Sequence, residues 1–235
     1  GNRLQTALKR HWMVYLMTVP VMAYYIVFCY LPMFGIVIAF QDFRVTRGFF
    51  RSDWVGLEHF VDYFDSIYAW QTIRNTLSIS LLGLIFGFPA PILLALMLNE
   101  VKNARFKKSV QTITYMPHFI STVVVCAMVH MFFNVDGGIV NNAIVALSGE
   151  PVPFMYKAKY FDHLYVWSGV WQGIGWGTII YLAILSNVSP DLIEAARIDG
   201  ASRWDVVVHI NIPTILPTVV IMLILRVGSI MGVGF

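Results

Sequence analysis

Pro117-His118-Phe119-Ile120-Ser121 sets an imidazole close to a hydroxyl, the pairing that activates a serine nucleophile when a third group orients the base. No carboxylate lies in the same apolar run to do so, and a helix-bending proline beside His118 suits a polar kink lining a cavity better. His118 and His130 are twelve residues apart, about three helical turns, and the same reading is preferred there over haem ligation. The chain contains neither HExxH nor GxSxG, and no GxxxxGK followed by Ser or Thr; these would mark a zinc protease, a hydrolase and a nucleotide loop. No catalytic residues and no metal site are assigned, and any ATP used is expected on another chain. Cys29 and Cys126 sit in apolar runs, away from ligand spacing, and read as small hydrophobes.

A second group suits binding. Trp171, Gln172, Trp176, Thr178, Tyr181 and Asn187 follow one another in a single apolar stretch. Sugar sites combine aromatic faces for apolar C–H surfaces with hydrogen-bonding groups for hydroxyls. Gln172 and Trp176 are four apart and share a helix face, and polar groups inside a span face the bundle or an aqueous path. Gln172, Trp176 and Tyr181 are therefore candidate substrate-path residues, although Trp171 and Trp176 also fit an interfacial aromatic belt. Gly173, Gly175 and Gly177 follow no strand and read as close helix packing rather than a dinucleotide loop. Arg226, inside an apolar run, is expected to face protein or water, with a structural ion pair inside an assembly preferred over a ligand contact.

The third candidate is the connection from Pro190 to Pro213. Leu192 to Ile198 contains helix formers with Ser189 or Asp191 available as N-cap, Gly200 suits a left-handed turn, and a second helix is expected to begin near Ala201 or Ser202. Such a pair of helices at a membrane surface displays Glu194, Arg197, Asp199 and Arg203 to a partner. A plain interfacial connector is the alternative.

The elements that position these groups are membrane spans. Of 235 residues 58% are hydrophobic and 12% charged, against roughly 45–50% and 25% for a soluble domain, which excludes an ordinary soluble enzyme. A net charge of +3 without a long basic cluster argues against nucleic acid as a partner. A bilayer core of about 30 Å needs about 20 helical residues. Five stretches qualify: Trp12–Gln41, Asn75–Asn99, Ser109–Val135, Leu164–Pro190 and Val206–Phe235. The fold class expected is all-α, a polytopic membrane helix bundle. The first stretch is too long for a signal-peptide core of about 7–15 residues. Arg3, Lys9, Arg10, Lys102, Arg105, Lys107, Lys108, Arg197 and Arg203 fall on one side of that topology, which predicts a cytoplasmic N-terminus. Leu57, Phe60, Val61, Phe64 and Ile67 predict an amphipathic interfacial helix before the second span. The segment from Asp136 to Pro153 is expected to be a turn-rich outer loop.

Glu194-Ala195-Ala196, three residues, Gly200, nine residues, Ile210, one residue, then Ile212-Pro213 resembles the EAA signature of permease subunits of bacterial ABC importers; Ile212 stands where the family commonly has Leu. Tyr30-Leu-Pro-Met-Phe-Gly35, Phe40-Gln-Asp-Phe43, Phe88-Pro-Ala-Pro-Ile92, Met116-Pro-His-Phe-Ile-Ser121 and Gly175-Trp-Gly-Thr-Ile-Ile-Tyr181 are similar to the LplB-like branch of the carbohydrate, maltose-type permeases. The resemblance covers nearly the whole chain.

It implies the type I importer permease fold, a single permease domain over 1–235 with a cytoplasmic coupling loop over 189–211, and a bacterial inner-membrane location. Members have six spans, so five spans predict a fragment lacking the last helix. The implied partners are a homologous second permease, two ATPase subunits carrying ATP and Mg, an extracytoplasmic solute-binding protein and membrane lipid. Glu194 would pair with a basic residue of the ATPase groove, Ala195 and Ala196 would allow close packing, Gly200 would make the turn, and Asp199 and Arg203 would flank it. The implied function is non-catalytic: oligosaccharide import by alternating access. A secondary transporter or channel is the alternative; such transporters often carry intramembrane acids, and none of the five stretches holds one.

Overall fold

The computed structural model describes residues 12–232; Arg3, Lys9 and Arg10, on which part of the orientation argument rests, lie outside the described residues. The chain forms two compact units, one up to Thr72 and one from Ile73.

In the first unit, α1 (Trp12–Phe40) is a continuous apolar rod long enough to cross a membrane. A two-stranded antiparallel ribbon follows, β1 (Gln41–Asp42) on β2 (Asp53–Trp54), with Gln41 opposite Trp54. Exposed ion pairs Arg44–Asp42 (3.1 Å) and Arg47–Asp53 (2.8 Å) decorate it, worth about 0–1 kcal/mol each. The amphipathic helix expected here forms as α2 (Glu58–Asp65). Its Phe60 ring lies 5.4 Å from Phe40, and His59 Nε2 is 3.1 Å from the Gln41 carbonyl. Ser66 then turns extended, and its hydroxyl accepts the Ala69 N–H at 3.3 Å, capping the next helix.

That helix, α3 (Ile67–Asn99), carries the chain into the second unit. Asn103 caps α4 (Ala104–Phe119) by accepting the Arg105 and Phe106 N–H groups at 3.0 and 3.1 Å. The third apolar stretch is not one straight rod. It breaks after Phe119 and resumes as α5 (Thr122–Phe133), bent by 102°, because Pro117 has no N–H to continue the helix and Ser121 restarts it as an N-cap. The turn-rich loop expected over 136–153 instead contains α6 (Ile139–Ser148). Buried Asn141 holds it: its amide donates to the carbonyls of Phe133, Asn134 and Val152 and accepts the Val152 N–H at 2.8 Å. Then come α7 (Ala158–Leu185), α8 (Pro190–Ile198) and α9 (Arg203–Gly228).

Three π-helical turns, Tyr25–Tyr30, Gly83–Gly87 and Val207–Asn211, each stand just ahead of a proline: Pro32, Pro89 and Pro213. A proline ring collides with the carbonyl four residues earlier. Those carbonyls belong to Phe28, Ile85 and His209, inside the widened turns, so the rods pass their prolines without stopping.

The core of the second unit joins α3, α7 and α9 through Ala95, Leu98, Tyr181, Leu185, Val207 and Ile215. Ser78 of α3 donates to Asp162 at the start of α7 at 2.6 Å. Close approach explains two of the three glycines: a Cβ at Gly175 would fall 2.1 Å from the Thr114 carbonyl oxygen, and one at Gly177 would fall 2.9 Å from the Pro91 ring. Gly173 differs, with nothing within 4 Å of a Cβ built there. Among the described residues four helices are long and apolar enough to span a membrane, and the α4–α5 pair makes a fifth if counted as one bent span.

Candidate functional site

The connection between α7 and α9 is a surface turn capped at both ends. α8 closes with the Gly200 N–H donating to Arg197 O (3.1 Å) and the Ala201 N–H to Ala196 O (2.9 Å). These are the two bonds of a Schellman end, and Gly200 supplies the left-handed backbone at φ +88°. Two residues later the Ser202 hydroxyl accepts the Asp205 N–H, and the Asp205 carboxylate accepts the Ser202 N–H at 2.9 Å, a reciprocal capping box. The helix forms over Pro190–Ile198; Ser189 precedes it without a side-chain cap.

Glu194, Ala195, Asp199, Gly200 and Arg203 are exposed and Ala196 is half-buried. Among the described residues Glu194, Asp199 and Arg203 make no ion pair, so the charged groups expected on this turn are displayed together and available. The turn also presents Ile198 at 86% exposure and Trp204 at 72%. In the sequence both are marked only as apolar side chains next to Asp199 and Arg203 in a polar connection. Behind the turn, fully buried Asn211 donates to Glu100 at the end of α3 at 3.4 Å.

A cavity of about 790 Å³ opens among α3, α5, α7 and α9, with Ser80, Thr122, Gln172, Tyr181 and Arg226 on its wall. Two of the three expected path residues meet there. The Gln172 side-chain N–H donates to the Ile120 carbonyl at 2.8 Å, and Tyr181 is buried between cavity and core. Trp176 is not on that wall; half-exposed, it stacks on His118 with ring centroids 4.4 Å apart and planes 4° from parallel. His118 thus sits at the kink, as its proline neighbour suggested, but it is exposed against the Trp176 ring and does not line the cavity as expected. Arg226 reaches the cavity wall as well, a placement sequence alone left open.

Membrane-length helices around a mostly apolar cavity that carries a few polar groups, joined by a capped, charged turn, fit a membrane transport component. Residues 87–233 match the family described as binding-protein-dependent transport system inner membrane component, and the chain belongs to that family. It is 43% identical over 235 residues to Protein LplB of Bacillus subtilis (strain 168), covering 100% of this chain and 74% of that one. It is 44% identical over 234 residues to the polygalacturonan/rhamnogalacturonan transport system permease protein YteP of the same organism, covering 100% and 73%. Among solved structures it resembles a chain of a bacterial ABC transporter involved in the import of the acidic polysaccharide alginate, with TM-score 0.89, 40% identity and coverage of 100% and 78%. A second structure of the bacterial alginate transporter, in complex with an alginate pentasaccharide-bound periplasmic protein, matches with the same TM-score and identity.

Proposed function

We propose that this chain is the membrane-spanning permease subunit of an ATP-binding-cassette importer for oligosaccharides or polysaccharide fragments. It would work beside a homologous second permease, two ATPase subunits that hold ATP and Mg, and a solute-binding protein outside the membrane. The permease names and polysaccharide cargoes of the relatives support the substrate class.

One observation supports the mechanism: α7 and α9 both wall the cavity, α9 starts at the capped turn, and α7 joins α8 through residues 186–189. Its two caps make the turn a rigid handle. A force applied to α8 therefore reaches both cavity-lining helices, and Asn211 with Glu100 passes it to α3. Glu194 and Arg203 supply charge for a complementary groove on the ATPase, Ala195 and Ala196 let α8 lie close to it, and Gly200 with Asp199 shapes the bend. Closure of the ATPase pair on ATP would draw the turn inward and reverse access to the cavity. In this reading the turn and the 100–108 connection face the cytoplasm, as does the N-terminus, and the 42–66 segment lies outside. Gln172 and Tyr181 would contact sugar from the cavity wall, and Trp176 would meet it from the neighbouring face.

Affinity capture of this chain from membranes containing the ATPase tests the docking role. Wild type is expected to retain the ATPase and Glu194→Arg to release it. Wild-type retention by Glu194→Arg would overturn the assignment of the turn.

A further inference from the structure

Arg226 extends from α9 toward α3, where a Cβ placed on Gly83 would lie 3.6 Å from its Nη2. The missing side chain at Gly83 leaves the guanidinium room beside the α3 backbone. Ser80, one turn away, spends its hydroxyl proton on the Ile230 carbonyl. Among the described residues Arg226 is the one charged residue on the cavity wall, with no Asp or Glu beside it there. Among the described residues the guanidinium has no ion pair, and it is not buried by the chain itself. At membrane depth a guanidinium charge calls for an anion or water.

The remaining wall fits a sugar ring. Gly169 and Gly173 stand four apart on α7, both on the cavity, and a Cβ at either would meet nothing within 4 Å. They leave bare helix surface on the cavity wall beside Gln172. Neutral hydroxyls would satisfy the amide but leave the guanidinium uncompensated, whereas a carboxylate matches its planar fork with two parallel hydrogen bonds.

We propose that Arg226 is a carboxylate-binding subsite and that the oligosaccharide carried by this chain is anionic, built with uronic acid units. This rests on the carbohydrate reading above and narrows it. The assembled transporter, reconstituted in proteoliposomes, is offered a 1,4-linked oligogalacturonate and the same oligosaccharide with its carboxyl groups reduced to alcohols. Wild type is expected to prefer the acidic form. Arg226→Gln should lower acidic uptake on the order of tenfold to a hundredfold, the worth of a hydrogen-bonded charge, while uptake of the reduced form changes less than about twofold. Arg226→Lys, which keeps the charge without the fork, should fall between.

Equal loss for both sugars, unchanged acidic uptake in Arg226→Gln, or failure of both variants to assemble overturns the proposal, the last pointing to a carboxylate of the second permease. Wild-type preference for the reduced sugar overturns this proposal alone. Import of neither overturns the carbohydrate reading with it.

Discussion

The Gln172 side chain donates to the Ile120 carbonyl at 2.8 Å, tying the middle of α7 to the break between α4 and α5. Ile120 is extended there, outside either helix, so its carbonyl has no helical donor. Removing a partner of this kind costs about 1–3 kcal/mol. Gln172→Ala is expected to lower the melting temperature of the detergent-solubilised complex by a few degrees as well as impair uptake. An unchanged melting temperature would separate Gln172 from the bend and leave it a role toward the cavity alone.

Gly175 and Gly173 make a matched pair of tests. A methyl at Gly175 drives into the Thr114 carbonyl, whereas at Gly173 it enters open space. Overpacking of a tight contact costs typically about 1–3 kcal/mol. Gly175→Ala should reduce assembled complex after solubilisation, and Gly173→Ala should not, though it narrows the cavity and should slow uptake. Equal assembly yields would contradict the packing described.

Gly200 holds φ +88°, a conformation that costs non-glycine residues roughly 1–2 kcal/mol. Gly200→Val should distort the turn without touching the cavity. ATP hydrolysis by the assembly should persist while sugar taken up per ATP falls, and Glu194→Ala should act the same way by losing on the order of 2–5 kcal/mol of docking energy if the pair is desolvated. Parallel measurement of phosphate release and uptake checks both. A wild-type ratio of sugar to ATP in both variants would remove the turn from the coupling route.

Orientation is open to direct labelling. In a variant with Cys29 and Cys126 replaced by alanine, Arg105→Cys should resist an impermeant thiol reagent on intact cells and Asp53→Cys should react. The reverse pattern would invert the topology and place the capped turn outside.

Much of this architecture is legible one residue at a time. Uncharged length marks the spans, Gly200 marks the left-handed turn, and Pro117 marks the kink, because each effect is local. What sequence did not yield depends on distant partners. The free carbonyl at the α4–α5 break is captured from 52 residues away by Gln172. Helical spacing puts Trp176 on the face of Gln172, yet its ring stacks on His118 from another helix. The helix around Asn141 was hidden because Gly137, Gly138, Pro151 and Pro153 at its flanks read as turns. Arg226 could be located at membrane depth, but which neighbour it faced depended on Gly83, far away in the chain.

The most direct test of the account is uptake of a labelled oligosaccharide by proteoliposomes holding this chain, its companion permease, the ATPase pair and the binding protein. Uptake is predicted to require hydrolysable ATP and to stop in the presence of a non-hydrolysable analogue. Accumulation at the same rate without nucleotide would contradict an ATP-driven importer and return the chain to the class of secondary transporters and channels.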